Sequence, residues 1–196
     1  MFSDTPSITL RDPLAELLGA GDASFVYTFN DAVRLAGHAC PTVAGAFLLI
    51  RRALMVLYPD SLPERGDVAI TVPGRVDEGV TGPITQIFTL VSGAAGPNGF
   101  KGLAGRYNRM NLLRFQERGD PSGPFRFLRM STGAEVGLTY SPAAIVPAGR
   151  MGELMPLVLS ERATPEQRVE FGRLWRQRVE AILADGGERT VFQQAL

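Results

Sequence analysis

Residues 41–57, PTVAGAFLLIRRALMVL, constrain the fold more than any other part of the chain. Val43, Phe47, Ile50, Leu54 and Leu57 recur at steps of three and four, the spacing of one helix face. Ala44, Ala46, Leu48, Leu49 and Ala53 make the other sides apolar as well. A helix apolar nearly all round has no face for solvent and lies inside a domain. Pro41 suits its first turn, and it ends before Pro59. The apolar stretch from Ala36 to Ile50 is too short to span a bilayer and stops at Arg51 and Arg52. The rest of the chain must therefore cover this helix.

The remaining elements are read from caps, breakers and periodicity. Residues 11–19 predict a short helix, with Asp12 ahead of Pro13 at the first helical position. Residues 30–37 predict a second. Residues 67–73 alternate Val68, Ile70 and Val72 and read as a strand. Residues 83–92 fit either class: Pro83 favours a first helical turn, and the β-branched content favours a strand. Residues 93–105, GAAGPNGFKGLAG, form a loop. Residues 109–117, 125–132 and 135–140 read as three antiparallel strands, with turns at GDPSG and Gly133. Residues 141–163 read as an extended connector. A helix from Pro165 to Ala184 closes the chain, with Thr164 and Gln167 as a capping box. The expected fold class is α+β: a single domain over residues 1–196 in which an antiparallel sheet packs on the central 41–57 helix and the C-terminal helix covers one side.

Charge excludes some functions. The formal net charge is 0, and the arginines near the C-terminus alternate with Glu166, Glu170 and Glu180. No basic patch can neutralise a row of phosphates, so no nucleic-acid partner is expected. Cys40 is the only cysteine, which excludes an internal disulfide and a four-cysteine zinc site. The first residues lack a basic segment followed by an apolar one. A cytoplasmic location and no membrane partner are the expectations. A charged fraction of 20% is slightly low and makes a homodimer plausible.

The informative chemistry lies at Gly37-His38-Ala39-Cys40-Pro41. His38 is the only histidine, two residues before the only cysteine. Pro41 pushes Cys40 toward extended geometry and suits the start of the following helix. Cys40 is therefore expected at the N-cap, with His38 just ahead on the same side. Free N–H groups and the positive dipole end favour a thiolate there. A thiolate beside an imidazole is a good ligand pair for a borderline metal. The plain alternative is a small buried Cys and a hydrogen-bonded His. Asp77 and Glu78 follow a strand and offer a third ligand or a general base. Arg75 offers a planar fork to an anion. The loop from Gly93 to Gly105 offers backbone N–H groups to an anion, with Lys101 adding charge, or a lid over His38 and Cys40. Tyr107, Tyr140 and Trp175 read first as core or interface packing.

The run DAVRLAGHACPTVAGAFLLIRRALMVL resembles the opening helix, metal-binding turn and core helix of the FmdE family, which takes its name from formylmethanofuran dehydrogenase. The family signature is close to His-Gly-His-x-Cys-Pro-Gly. Its Gly-His-x-Cys-Pro portion stands here at Gly37 through Pro41. A second strip, from Asp77 through Gln86 and Gly93 to Lys101, is similar in order. The likeness covers roughly residues 28–115. The family's first His is Ala36 here, its Gly after Pro is Thr42, and its second cysteine has no counterpart. The resemblance implies a metal- or cofactor-binding protein linked to redox metabolism, with zinc as the metal. His38, Cys40 and Glu78 would be metal ligands, Cys40 and Asp77 the catalytic groups, and Arg75, Gln86 and Lys101 the cofactor contacts. One alternative is a b-type haem protein, with His38 or Cys40 as axial ligand and helix 41–57 as a pocket wall. Another is a non-catalytic accessory protein of a redox enzyme.

Overall fold

A computed structural model describes residues 1–3 and 5–196. The central helix forms where its spacing requires: α3 spans Pro41–Leu57. Residues 43 to 50 are all buried, eight in succession, which is more than two full turns with no side left to water. Pro41 opens α3, and Tyr58 ends it ahead of Pro59. Arg129 donates to the Leu57 carbonyl at 3.1 Å and stacks on the Tyr58 ring at 3.9 Å. This satisfies one orphan carbonyl at the negative end of the helix.

Before α3 come β1 (Ser7–Arg11), α1 (Pro13–Leu17), β2 (Ser24–Thr28) and α2 (Phe29–Ala36). β1 and β2 form a separate antiparallel pair. After α3 come β3 (Val68–Pro73), α4 (Thr81–Ser92), β4 (Leu113–Gln116), β5 (Phe125–Arg129), β6 (Glu135–Tyr140), α5 (Met151–Leu159), α6 (Pro165–Asp185) and β7 (Val191–Gln194). The class is α+β, as expected. The main sheet has the order β4-β3-β5-β6-β7. Among the described residues no helix is long and apolar enough to cross a membrane.

The sheet differs from the expected meander. β4 pairs parallel with β3, and β3 pairs antiparallel with β5. The GDPSG segment therefore joins strands on either side of β3 and is no hairpin. A parallel neighbour requires a crossover, and α4 supplies it. The ambiguous 83–92 segment is helical because Ile84, Ile87, Phe88 and Val91 make one buried face. Gly93 closes that helix at φ 74°, donating to the Thr89 carbonyl. The expected 141–163 connector contains α5, whose Met151 and Leu154 pack on Leu174 of α6. Gly152 and Pro156 hid that short apolar stripe. The strands β1, β2 and β7 were not expected. Each is only four or five residues long.

α3 packs on β5, β6 and β7 and against α2, α4 and α6. Phe88 of α4 joins the core through edge-to-face contacts with Phe125 and Phe127 at 5.4 and 5.3 Å. Phe88→Ala should therefore lower unfolding stability by about 3–5 kcal/mol, measured by urea titration with circular dichroism. A loss under about 1 kcal/mol would mean that α4 does not seat as described.

Candidate functional site

The site is built at the N-terminal end of α3. Cys40 is the N-cap, extended at φ −150° and ψ 170°, as Pro41 requires. The Val43 N–H donates to Cys40 Sγ at 3.4 Å. The thiol is partly buried, and His38 is exposed. His38 Nδ1 lies 3.0 Å from the Ala36 carbonyl. A carbonyl only accepts, so this bond puts a proton on Nδ1, and in the neutral imidazole the lone pair is then on Nε2. Gly37 makes the turn possible: at φ 74° it caps α2 and redirects the chain.

Two distant aromatic residues hold the turn. Trp175 Nε1 donates to the Ala39 carbonyl at 2.8 Å. The Tyr140 hydroxyl donates to the Pro41 carbonyl at 2.8 Å. Both carbonyls flank Cys40, so its backbone is fixed from β6 and from α6. Tyr140 lies across Gly45, where a Cβ would come within 2.3 Å of the ring. Gly45 is there for close approach, not for flexibility. Burial pushes the Tyr140 hydroxyl well above the ordinary tyrosine range, against the pull of Arg178. Sequence reasoning placed Tyr140 and Trp175 in packing. Their partners lie 99 and 136 residues away, beyond any local pattern. A glycine inside the apolar run of the central helix was the one available signal.

The other expected residues occupy a second turn. The C-terminal ends of α3 and α4 both lie at the start of β3: Tyr58 bonds Asp67, and the Gly66 N–H donates to the Ser92 carbonyl. Their N-terminal ends therefore share the far end, where β3 runs out at Pro73. Asp77 and Glu78 are on the loop there. The Arg75 guanidinium makes a two-pronged bond to Asp77 at 3.0 and 3.1 Å and holds that carboxyl below its usual range. Asp77 is thus an ionised, weakly basic partner of Arg75. Glu78 accepts the Arg75 N–H at 3.2 Å. Among the described residues no three His, Cys, Asp or Glu side chains stand close enough to hold a metal.

No family model, curated protein or solved structure matches the chain. The site is therefore read from its own geometry.

A cavity of about 690 Å³ links several of the named segments. Leu35, just before the His38 turn, lines it with Val76, Gln86, Thr89, Pro97 and Asn98. The groove brings together the end of α2, the Arg75–Glu78 turn, Gln86 and the start of the Gly-rich loop. Lys101 is exposed and lies outside its lining. The loop itself is hydrogen-bonded to the 106–113 segment, through Ala95 to Arg109 and Leu113 and through Phe100 to Arg109. Residues 43–50 of α3, the expected wall of a haem pocket, are covered by the chain's own side chains, and Met55 and Val56 are exposed.

Tyr140→Phe removes one donor to Pro41 and should cost about 0.5–1.5 kcal/mol in urea unfolding at neutral pH. The folded protein also keeps the Tyr140 proton at pH values where an unfolded tyrosine, with a pKa of about 10, has lost it. Stability should therefore fall as pH rises through 10 and above, and the fall should be shallower in Tyr140→Phe. Parallel pH curves for the two proteins would refute the buried hydroxyl.

Proposed function

We propose that the chain is a metal- or cofactor-binding protein of the kind its resemblance to the FmdE family implies. His38 and Cys40 are the protein ligands, and zinc is the default metal. The observation that carries this reading is the bond from His38 Nδ1 to the Ala36 carbonyl. It fixes the tautomer whose Nε2 can ligate, which is the usual way in which a ligating histidine is oriented. The Cys40 thiol stands two residues on, at the N-cap of α3, where the Val43 N–H donates to its Sγ. The Trp175 and Tyr140 bonds order the turn before any ligand arrives.

Two protein ligands leave open positions, which suits ligand binding or catalysis more than a structural role. Those positions fall to an exogenous ligand, to Asp77 or Glu78 after rearrangement of their turn, or to a second copy of the chain. The groove beside the turn supplies an apolar bed for the organic part of a ligand, with the Gln86 and Asn98 amides as its polar contacts. The reading puts the protein in redox metabolism, as the family resemblance implies.

Metal analysis of the purified chain should return stoichiometric zinc. Cys40→Ser and His38→Ala should each abolish it while leaving the circular dichroism spectrum unchanged. Cobalt substitution should give a thiolate charge-transfer band that Cys40→Ser removes. Unchanged metal content in Cys40→Ser would sink the reading. Absence of metal from wild-type protein, even after reconstitution, would favour the accessory-protein alternative.

A further inference from the structure

The end of β3 opposite the His38 turn holds an unbalanced buried charge. Asp12, the N-cap of α1, accepts from the Leu14 N–H at 3.0 Å. The same carboxylate takes Arg109 Nη2 at 2.7 Å and Arg65 Nη1 at 3.3 Å. Asp12 and Arg109 side chains are 7% and 8% exposed. Two guanidiniums thus share one carboxylate, and one positive charge has no counterpart in the cluster. Arg65 directs its other nitrogens to the Leu90 and Val91 carbonyls at the end of α4. Arg109 does not do the same: its buried Nη1 has no hydrogen-bond partner among the described residues. A buried guanidinium with an idle donor is costly unless an acceptor arrives.

A place for that acceptor adjoins the cluster. Arg65, Gly66, Arg106, Tyr107, Asn108 and Arg109 line a cavity of about 390 Å³. Gly66, at φ 93°, admits the Arg109 guanidinium: a Cβ there would fall 1.6 Å from Nη1. Arg106 stands exposed at the mouth, its guanidinium 5.0 Å from the Tyr107 ring centre. Tyr107 itself holds a left-handed backbone at φ 60°. That conformation is strained for a bulky residue and persists where the surroundings impose it. Two carboxylates also line the cavity: Asp67, which accepts from Tyr58 and Ser131 and faces Arg129 at 3.5 Å, and the half-exposed Glu64, 3.7 Å from an Arg11 that bonds Glu16.

We infer that this cavity binds a small ligand through an oxyanion, a carboxylate or a phosphate group, held by Arg109 from within and Arg106 at the mouth. Arginine is suited to this because its planar fork matches both groups. The site stands apart from His38 and Cys40 and does not rest on the metal reading.

The test is thermal unfolding and ¹H–¹⁵N NMR of the whole chain, titrated separately with inorganic phosphate and with acetate, against sodium chloride at matched ionic strength. At least one probe should raise the unfolding temperature saturably and shift the Arg109 side-chain resonance, and which probe acts tells phosphate from carboxylate. Arg106→Ala lies on the surface and should fold normally. It should weaken the apparent affinity about tenfold. Arg109→Lys keeps the charge but loses the fork, and should abolish the response if it folds. No saturable response to either probe would overturn the inference. So would an equal response in wild type and Arg106→Ala, which marks a general salt effect.

Discussion

Val43 to Ile50 leave water entirely, and α4, α6 and the strands β5 to β7 are placed where they keep them dry. Each large side chain in that run contributes about 1.5–3 kcal/mol by burial. An ordinary amphipathic helix asks for one neighbour; α3 asks for neighbours all round. The sheet meets it on one side, α4 and α2 on another, and α6 on a third. In the order β4-β3-β5-β6-β7 the three strands β5, β6 and β7 face α3, and α4 returns the chain from β3 to β4 at the edge. The position of Cys40 is a by-product of the same arrangement. A helix buried from Val43 to Ile50 presents only its first turn ahead of that run, and Cys40 caps that turn.

The two ends of β3 differ in character. At one end stand a thiol and an imidazole whose backbone is tied down by Tyr140 and Trp175. At the other stand Asp12, Arg65 and Arg109, tying α1 to the end of α4 and to the 106–113 segment. On the readings proposed above, the first end would take a soft or borderline cation and the second an anion. β3 and α4 run between them as rigid struts.

Much of this was legible in the sequence where the signal was local. The α3 boundaries follow from Pro41, the run of apolar residues and Pro59. The extended backbone of Cys40 follows from Pro41 alone. Asp12 before Pro13 reads correctly as a cap, although its second role, as the anion shared by Arg65 and Arg109, depends on partners 53 and 97 residues away. The same distance problem hid the bonds of Tyr140 and Trp175. β4 was assigned to the wrong neighbour because a short Gly- and Pro-rich turn between two strand-like segments reads as a hairpin. Only the folded chain shows β3 lying between them. α5 was missed because Gly152 and Pro156 interrupt a stripe too short to be recognised.

The order of the sheet also sets a timetable for the nascent chain. α3 is complete by Leu57, but β6, α6 and β7, which cover it, end at Gln194. At about 5–20 residues per second, the ribosome takes on the order of ten seconds to supply them. Early in that interval α3 has only α2 and the first strands beside it; α4 joins it at Ser92, and the sheet and α6 come later. β3 likewise emerges with neither of its partners, β4 or β5, yet made. The chain therefore carries a partly covered helix and an unpaired strand together until β4 and β5 are made, and α6 and β7 complete the cover of α3.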